Sequence, residues 1–140
     1  MALIATTMPC CYTIDEDKEL VVLVADGVFT DDEMIAVSRK VAGDPKYRHE
    51  FRFFCDFVRV SENRTTSRSM REIPTLLRHS NKSRCVILFR RTLLNYGMFR
   101  MYETFCAING FCVPHCFHDR EKALAFLNES VAPDKVMEMI

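Results

Sequence analysis

The chain has 140 residues, 49% of them hydrophobic and 27% charged, with 19 basic side chains balanced by 19 acidic ones. That is the composition of one globular domain able to bury a core, which argues against disordered and fibrous classes. Zero net charge gives no general attraction to nucleic acid, no recognition motif for it occurs, and no apolar run nears the ~20 residues of a membrane span.

Residues Cys10 to Ile14 and Leu20 to Ala25 are apolar runs around the acidic turn DEDKE, the pattern of a β-hairpin. Asp26-Gly27 is expected to break the second strand. Thr30 and Glu33 then form a capping box, and Phe29 with Met34 a hydrophobic staple, opening a helix whose inner face is Met34, Val37, Ser38 and Val41. Gly43 and Pro45 stop it. Phe51 to Val60 reads as an interior strand, Thr65 to Ser80 as a helix interrupted by Pro74, and Cys85 to Phe89 as another buried strand. After a loop at Arg90 to Asn95, Gly97 begins a helix with the apolar stripe Met98, Met101, Tyr102, Phe105 and Ile108, stopped by Asn109-Gly110. Phe111 to Phe117 follows as a strand, placed at the sheet edge or bulged by Pro114. Asp119 caps a final helix with Ala123, Leu124 and Leu127 inward, and the pattern fades from Ser130.

The order β-β-α-β-α-β-α-β-α predicts an α/β fold with a mixed five-stranded sheet, parallel after the N-terminal hairpin. The domain spans residues 10–129, between an extension at 1–9 and a tail at 130–140. The start, MALIATTMPCC, lacks the basic region and long apolar run of a secretory signal. Seven cysteines, mostly in apolar surroundings such as FFCDF and RCVILF, suit buried reduced thiols. A cytoplasmic location is expected.

The element order, the segment Tyr96-Gly97-Met98-Phe99-Arg100-Met101-Tyr102-Glu103 and the ending Phe117-His118-Asp119-Arg120-Glu121-Lys122-Ala123-Leu124-Ala125-Phe126-Leu127 resemble the bacterial STAS-like group related to anti-sigma-factor antagonists. The resemblance implies a STAS-like fold and a non-catalytic, regulatory protein-interaction module. In antagonist members a serine at a helix start is phosphorylated by a partner kinase. The aspartate-serine pair of that switch is absent here, and the nearest equivalents are Thr65, Thr66, Ser67 and Ser69. The architecture is also similar to CRAL-TRIO lipid-carrier domains, which implies a small amphipathic ligand as the alternative.

The residues themselves offer several sites. Arg64, Arg68 and Arg71 interleave with Thr65, Thr66, Ser67 and Ser69 near a helix start, where guanidinium and backbone N–H groups would receive an anion or phosphoryl group. The plainer reading is a solvated, capped loop. Arg90, Arg91 and Arg100 make a second basic rim near strand ends. Tyr96, Met98, Met101 and Tyr102 are candidates to line a ligand pocket, with Arg100 on an anionic head, although a stripe at this spacing also serves as ordinary core. Phe99 departs from the stripe and is expected at a partner or subunit surface.

Cys106, Cys112, Cys116, His115 and His118 suggest a metal. On a strand, however, Cys112 and Cys116 lie ~13 Å apart at ~3.3 Å per residue, too far for ligands ~2.3 Å from one zinc ion. No metal or other cofactor is expected. Cys116 with His118, or Cys55 with His49, lacks a cation or helix start to stabilise a thiolate, and Asp31, Asp32 and Glu33 complement a helix dipole. No catalytic residue is expected. A sheet face left uncovered by helices would pair with a second copy, giving a homodimer.

Overall fold

The computed structural model describes residues 10–91 and 96–129. The expected extension, the tail and residues 92–95 of the expected loop lie outside the described residues. The elements are β1 (Cys10–Asp15), β2 (Leu20–Thr30), α1 (Asp31–Gly43), β3 (Arg52–Arg64), α2 (Ser67–Leu77), β4 (Cys85–Leu88), α3 (Tyr96–Ile108), β5 (His115–Phe117) and α4 (Arg120–Leu127). The strands lie in the order β1-β2-β3-β4-β5, with β1 antiparallel to β2 and every later pair parallel.

This order decides where the helices go. Right-handed crossovers that step along a sheet in one direction put every crossover helix on the same face. Accordingly α1, α2 and α3 share one core with Leu23, Phe53, Cys55 and Ile87, whereas α4, which follows the last strand, covers Phe54, Val86 and Leu88 on the other face.

Several boundaries differ from the sequence reading. β2 does not break at Asp26-Gly27 but continues to Thr30 through two register shifts, with Gly27 absorbing one at φ +71°. Parallel pairing with β3 likewise carries β3 through polar Ser61–Arg64, because ladder hydrogen bonds need no apolar side chain. β5 is shorter than expected. Pro114 has no N–H to offer the ladder, so only His115–Phe117 pairs with β4, and Phe111 makes one isolated bridge to Ser80. In α4 the inward residues are Ala123, Phe126 and Leu127, and Leu124 is 39% exposed.

Polar ties hold the layers. Tyr47 is buried and donates its hydroxyl proton to the Leu77 carbonyl at 2.7 Å, linking the segment before β3 to the end of α2. Tyr47→Phe is expected to lower stability by about 1–2 kcal/mol, since it leaves that carbonyl without its donor. Urea unfolding measures it.

Candidate functional site

α3 rests on α2. The space between this helix pair and the sheet is a pocket of about 80 Å³ at the centres of water-sized spheres, several times the ~10–15 Å³ that one water needs. Cys55, Phe57 and Ile87 form part of its floor, Met70 and Ile73 a wall from α2, and Met98, Phe99, Tyr102 and Cys106 the wall from α3. α3 starts directly after residues 92–95 and ends where Gly110 turns the chain at φ +72°.

The polar groups in this pocket are held neutral. His79 is buried and its Nε2–H donates to the Phe51 carbonyl at 2.7 Å, with burial lowering the ring's pKa to about 4. Burial raises Cys106 to about 11 and Cys112 to about 12. A hydrogen bond with Cys55, together with burial, raises Cys85 well above the ordinary thiol value. Tyr102 buries its hydroxyl against Cys106, and burial raises its pKa as well. At neutral pH these groups carry no charge, and protonated thiols are poor nucleophiles.

Of the expected pocket residues, Met98 and Tyr102 line the space. Tyr96 is 62% exposed, Arg100 is exposed and Met101 half-buried, and none of the three lines it. Phe99, expected at a partner surface, faces the pocket, as does Cys106, and Ile108 is 73% exposed instead of inward. Arg100, Glu103 and Thr104 mark one polar side, but the apolar arc opposite is too wide for periodicity to select a single inner line within it. The inner stripe runs through Met98, Tyr102 and Cys106 at steps of four residues, a spacing visible in the sequence beside the one chosen.

At residues 64–69, the candidate anion or phosphorylation stretch, most polar groups find partners within the chain. Thr66 caps α2, and its N–H donates to Asp31 at 2.8 Å, while the hydroxyls of Thr66 and of fully buried Ser69 donate to the same carboxylate. Arg64 pairs with Glu62 at 3.0 Å, and Arg68 with Asp32 at 3.0 Å and Glu72 at 3.5 Å. Thr65 donates its hydroxyl proton to Asn63 at 2.6 Å, Arg71 lies over the Phe105 ring at 5.7 Å, and Ser67 is exposed. An incoming phosphoryl group would meet a carboxylate already occupying the helix start. In the second rim, Arg90 is tied to the Val60 carbonyl at 2.8 Å, and Arg91 is exposed.

The structure keeps only two of the thiols of the rejected metal cluster together, Cys106 and Cys112. Both line the pocket, His115 lies against Phe126 in a tilted ring contact with centroids 4.4 Å apart, and His118 Nδ1–H donates to the Phe89 carbonyl at 3.1 Å. Among the described residues no group of three or more His, Cys, Asp or Glu is placed to hold a metal ion. Among the same residues no helix is long and apolar enough to cross a membrane.

No protein-family model matches the chain, and no curated protein does. A solved structure does: an uncharacterized protein of the DUF3478 family with a SpoIIAA-like fold, from Shewanella loihica PV-4. The two superpose with a TM-score of 0.50 over 84% of this chain and 93% of the other, at 14% identity. The chain has a SpoIIAA-like fold. The mixed sheet, with its antiparallel β1-β2 pair and four helices, is thus the STAS-like architecture that the Tyr96–Glu103 segment and the chain's ending resemble. One fold hosts many functions, so the task of this SpoIIAA-like domain is read from its pocket and surfaces.

Proposed function

We propose that this SpoIIAA-like domain is a non-catalytic module that binds a small, uncharged, apolar molecule between the sheet and the α2–α3 pair. The observation that carries the reading is the pocket, whose walls are aromatic, aliphatic and sulfur-bearing and whose polar groups are all neutral. Methionine and thiol walls adapt to varied apolar shapes. An ionised head would find no partner inside, so the amphipathic ligand with its head on Arg100 gives way to an uncharged one. α3 both walls the pocket and exposes Tyr96 and Ile108, so an occupant beneath it lies one helix away from a surface that a protein partner would meet. That arrangement supports a sensor that reports to a protein.

Fluorescence titration with N-phenyl-1-naphthylamine, a neutral apolar probe, tests the reading. Binding should exceed that of its anionic relative 1-anilinonaphthalene-8-sulfonate by roughly tenfold or more, because the sulfonate must be desolvated without a counter-charge. Cys106→Phe, which drives a ring into the space, and Met98→Lys, which places a charge on the α3 wall, should each weaken the neutral probe by roughly tenfold. Equal affinity for the two probes, or affinity indifferent to both substitutions, would sink the proposal.

A further inference from the structure

The free edge of the sheet at β1 is the other place where the molecule is built to receive something. β1 pairs only with β2 among the described residues, so the backbone N–H and C=O groups of its outer edge have no strand beside them. An edge of six residues would ordinarily be protected by a lysine, a proline or a bulge, and Cys10–Asp15 contains none of these.

α1 overhangs this edge. Its Glu33, Ala36, Val37 and Lys40, at steps of three and four residues, form one stripe that faces Cys10, Cys11 and Tyr12 across a groove of about 310 Å³ at water-sphere centres. The Tyr12 hydroxyl donates to Asp44 at 2.8 Å, which fixes the far end of the groove. At the near end the Thr30 hydroxyl accepts the Glu33 N–H at 3.4 Å, but Oε2 of the Glu33 side chain is buried without a hydrogen-bond partner. The return half of the expected capping box is not made. A carboxylate oxygen held away from water needs a donor, and none of the described residues supplies one.

We infer that the β1–α1 groove is a docking site for an extended peptide of a partner protein, which adds as a strand to β1 and presents a basic side chain to Glu33. Strand addition beside a helix supplies main-chain hydrogen bonds for affinity and side-chain pockets for specificity. Glu33 and Lys40 are seven residues apart, about 10 Å along the helix axis, and same-face side chains on a strand repeat every ~7 Å. The groove therefore takes one basic residue at Glu33 and, two positions on, one apolar residue against Ala36 and Val37. Charge complementarity selects a basic side chain at the first position, where an acidic one would face the Glu33 carboxylate directly, while Lys40 at the other end of the stripe disfavours a second cation there.

Anisotropy of the fluorescein-labelled peptide Thr-Thr-Arg-Thr-Val-Thr-Thr with the full chain tests this. Saturable binding is expected, weakened roughly tenfold or more by Glu33→Gln, which removes the charge opposite arginine. Ala36→Arg, at an exposed helix position, should block the groove without touching the core. A peptide with glutamate in place of arginine, or one methylated on alternate backbone nitrogens, should bind at least as poorly as the variants leave the parent. Binding indifferent to both substitutions, or none up to millimolar peptide, would overturn the inference. So would a dimer in sedimentation that Ala36→Arg dissociates, since the occupant would then be a second copy. Met98→Lys leaves peptide binding unchanged, so failure here and failure of the ligand proposal are separable.

Discussion

Arg84→Ala is expected to cost roughly 3–4 kcal/mol and to release α4 as a unit. Arg84 is 7% exposed and stands just before β4. Its guanidinium donates to the Phe126 carbonyl at 2.8 Å and to the Glu129 carbonyl, and lies over the Phe126 ring at 5.2 Å. A cation at a helix C-terminus meets both the orphan carbonyls and the negative end of the dipole. Each charge-assisted bond contributes about 1.5–3 kcal/mol, and stacking adds about 1, so even strongly non-additive terms leave a large loss. Arg52 grips the same helix end from the other side, at 3.1 Å from the Leu127 carbonyl and 3.0 Å from Asn128, but it is less buried and matters less. Arg84→Lys should recover under half of the loss, because a compact ammonium does not bridge two carbonyls and stack at once. Urea unfolding gives the energy, and hydrogen exchange locates it. A cost below about 1 kcal/mol, or exchange that rises equally in α1 and α4, would contradict the assignment.

What was legible in the sequence follows from which residues decide each feature. The strand and helix order was legible because capping signals at Thr30 and Asp119 and the apolar runs of β3 and β4 are local and strong. The continuation of β2 past Gly27 was not, because a parallel partner rather than propensity carries that strand through its bulges. The pocket was half legible. Met98 and Tyr102 were identified, whereas the choice of inner face on an apolar α3 depends on α2, which the sequence does not place beside it. Ser69 carried a hydroxyl that pointed to phosphate chemistry, yet in the fold it is fully buried against Asp31. That pairing joins residues 38 positions apart, and no local motif announces it.

Asp31→Ala is the second large effect, at about 2–3 kcal/mol, and it should depend on pH. The Asp31 carboxylate lies at the start of α1 and accepts from the start of α2, so one side chain clasps two helix N-termini and complements the dipole of each. Removing it leaves the Ser69 hydroxyl buried without a partner, which makes this loss larger than that of an ordinary cap. The exposed Arg68–Asp32 pair beside it contributes little. Burial alone would raise the Asp31 pKa, but the hydrogen bonds from Ser69 and Thr66 outweigh it and hold the carboxyl below its ordinary 3.8. A depressed folded-state value means that the unfolded chain takes up the proton first. The clasp's stabilisation is therefore complete above about pH 5 and is lost as the pH falls through the folded value, below about 4. The stability gap between the parent chain and Asp31→Asn should be flat from about pH 5 to 7 and close on acidification below that. Because α2 is a wall of the pocket, Asp31→Ala should also weaken N-phenyl-1-naphthylamine binding at neutral pH, whereas Asp32→Ala should not. A stability gap that widened at low pH would mean the carboxylate is a burden to the fold rather than its clasp, and an unaltered probe affinity would separate the clasp from the pocket.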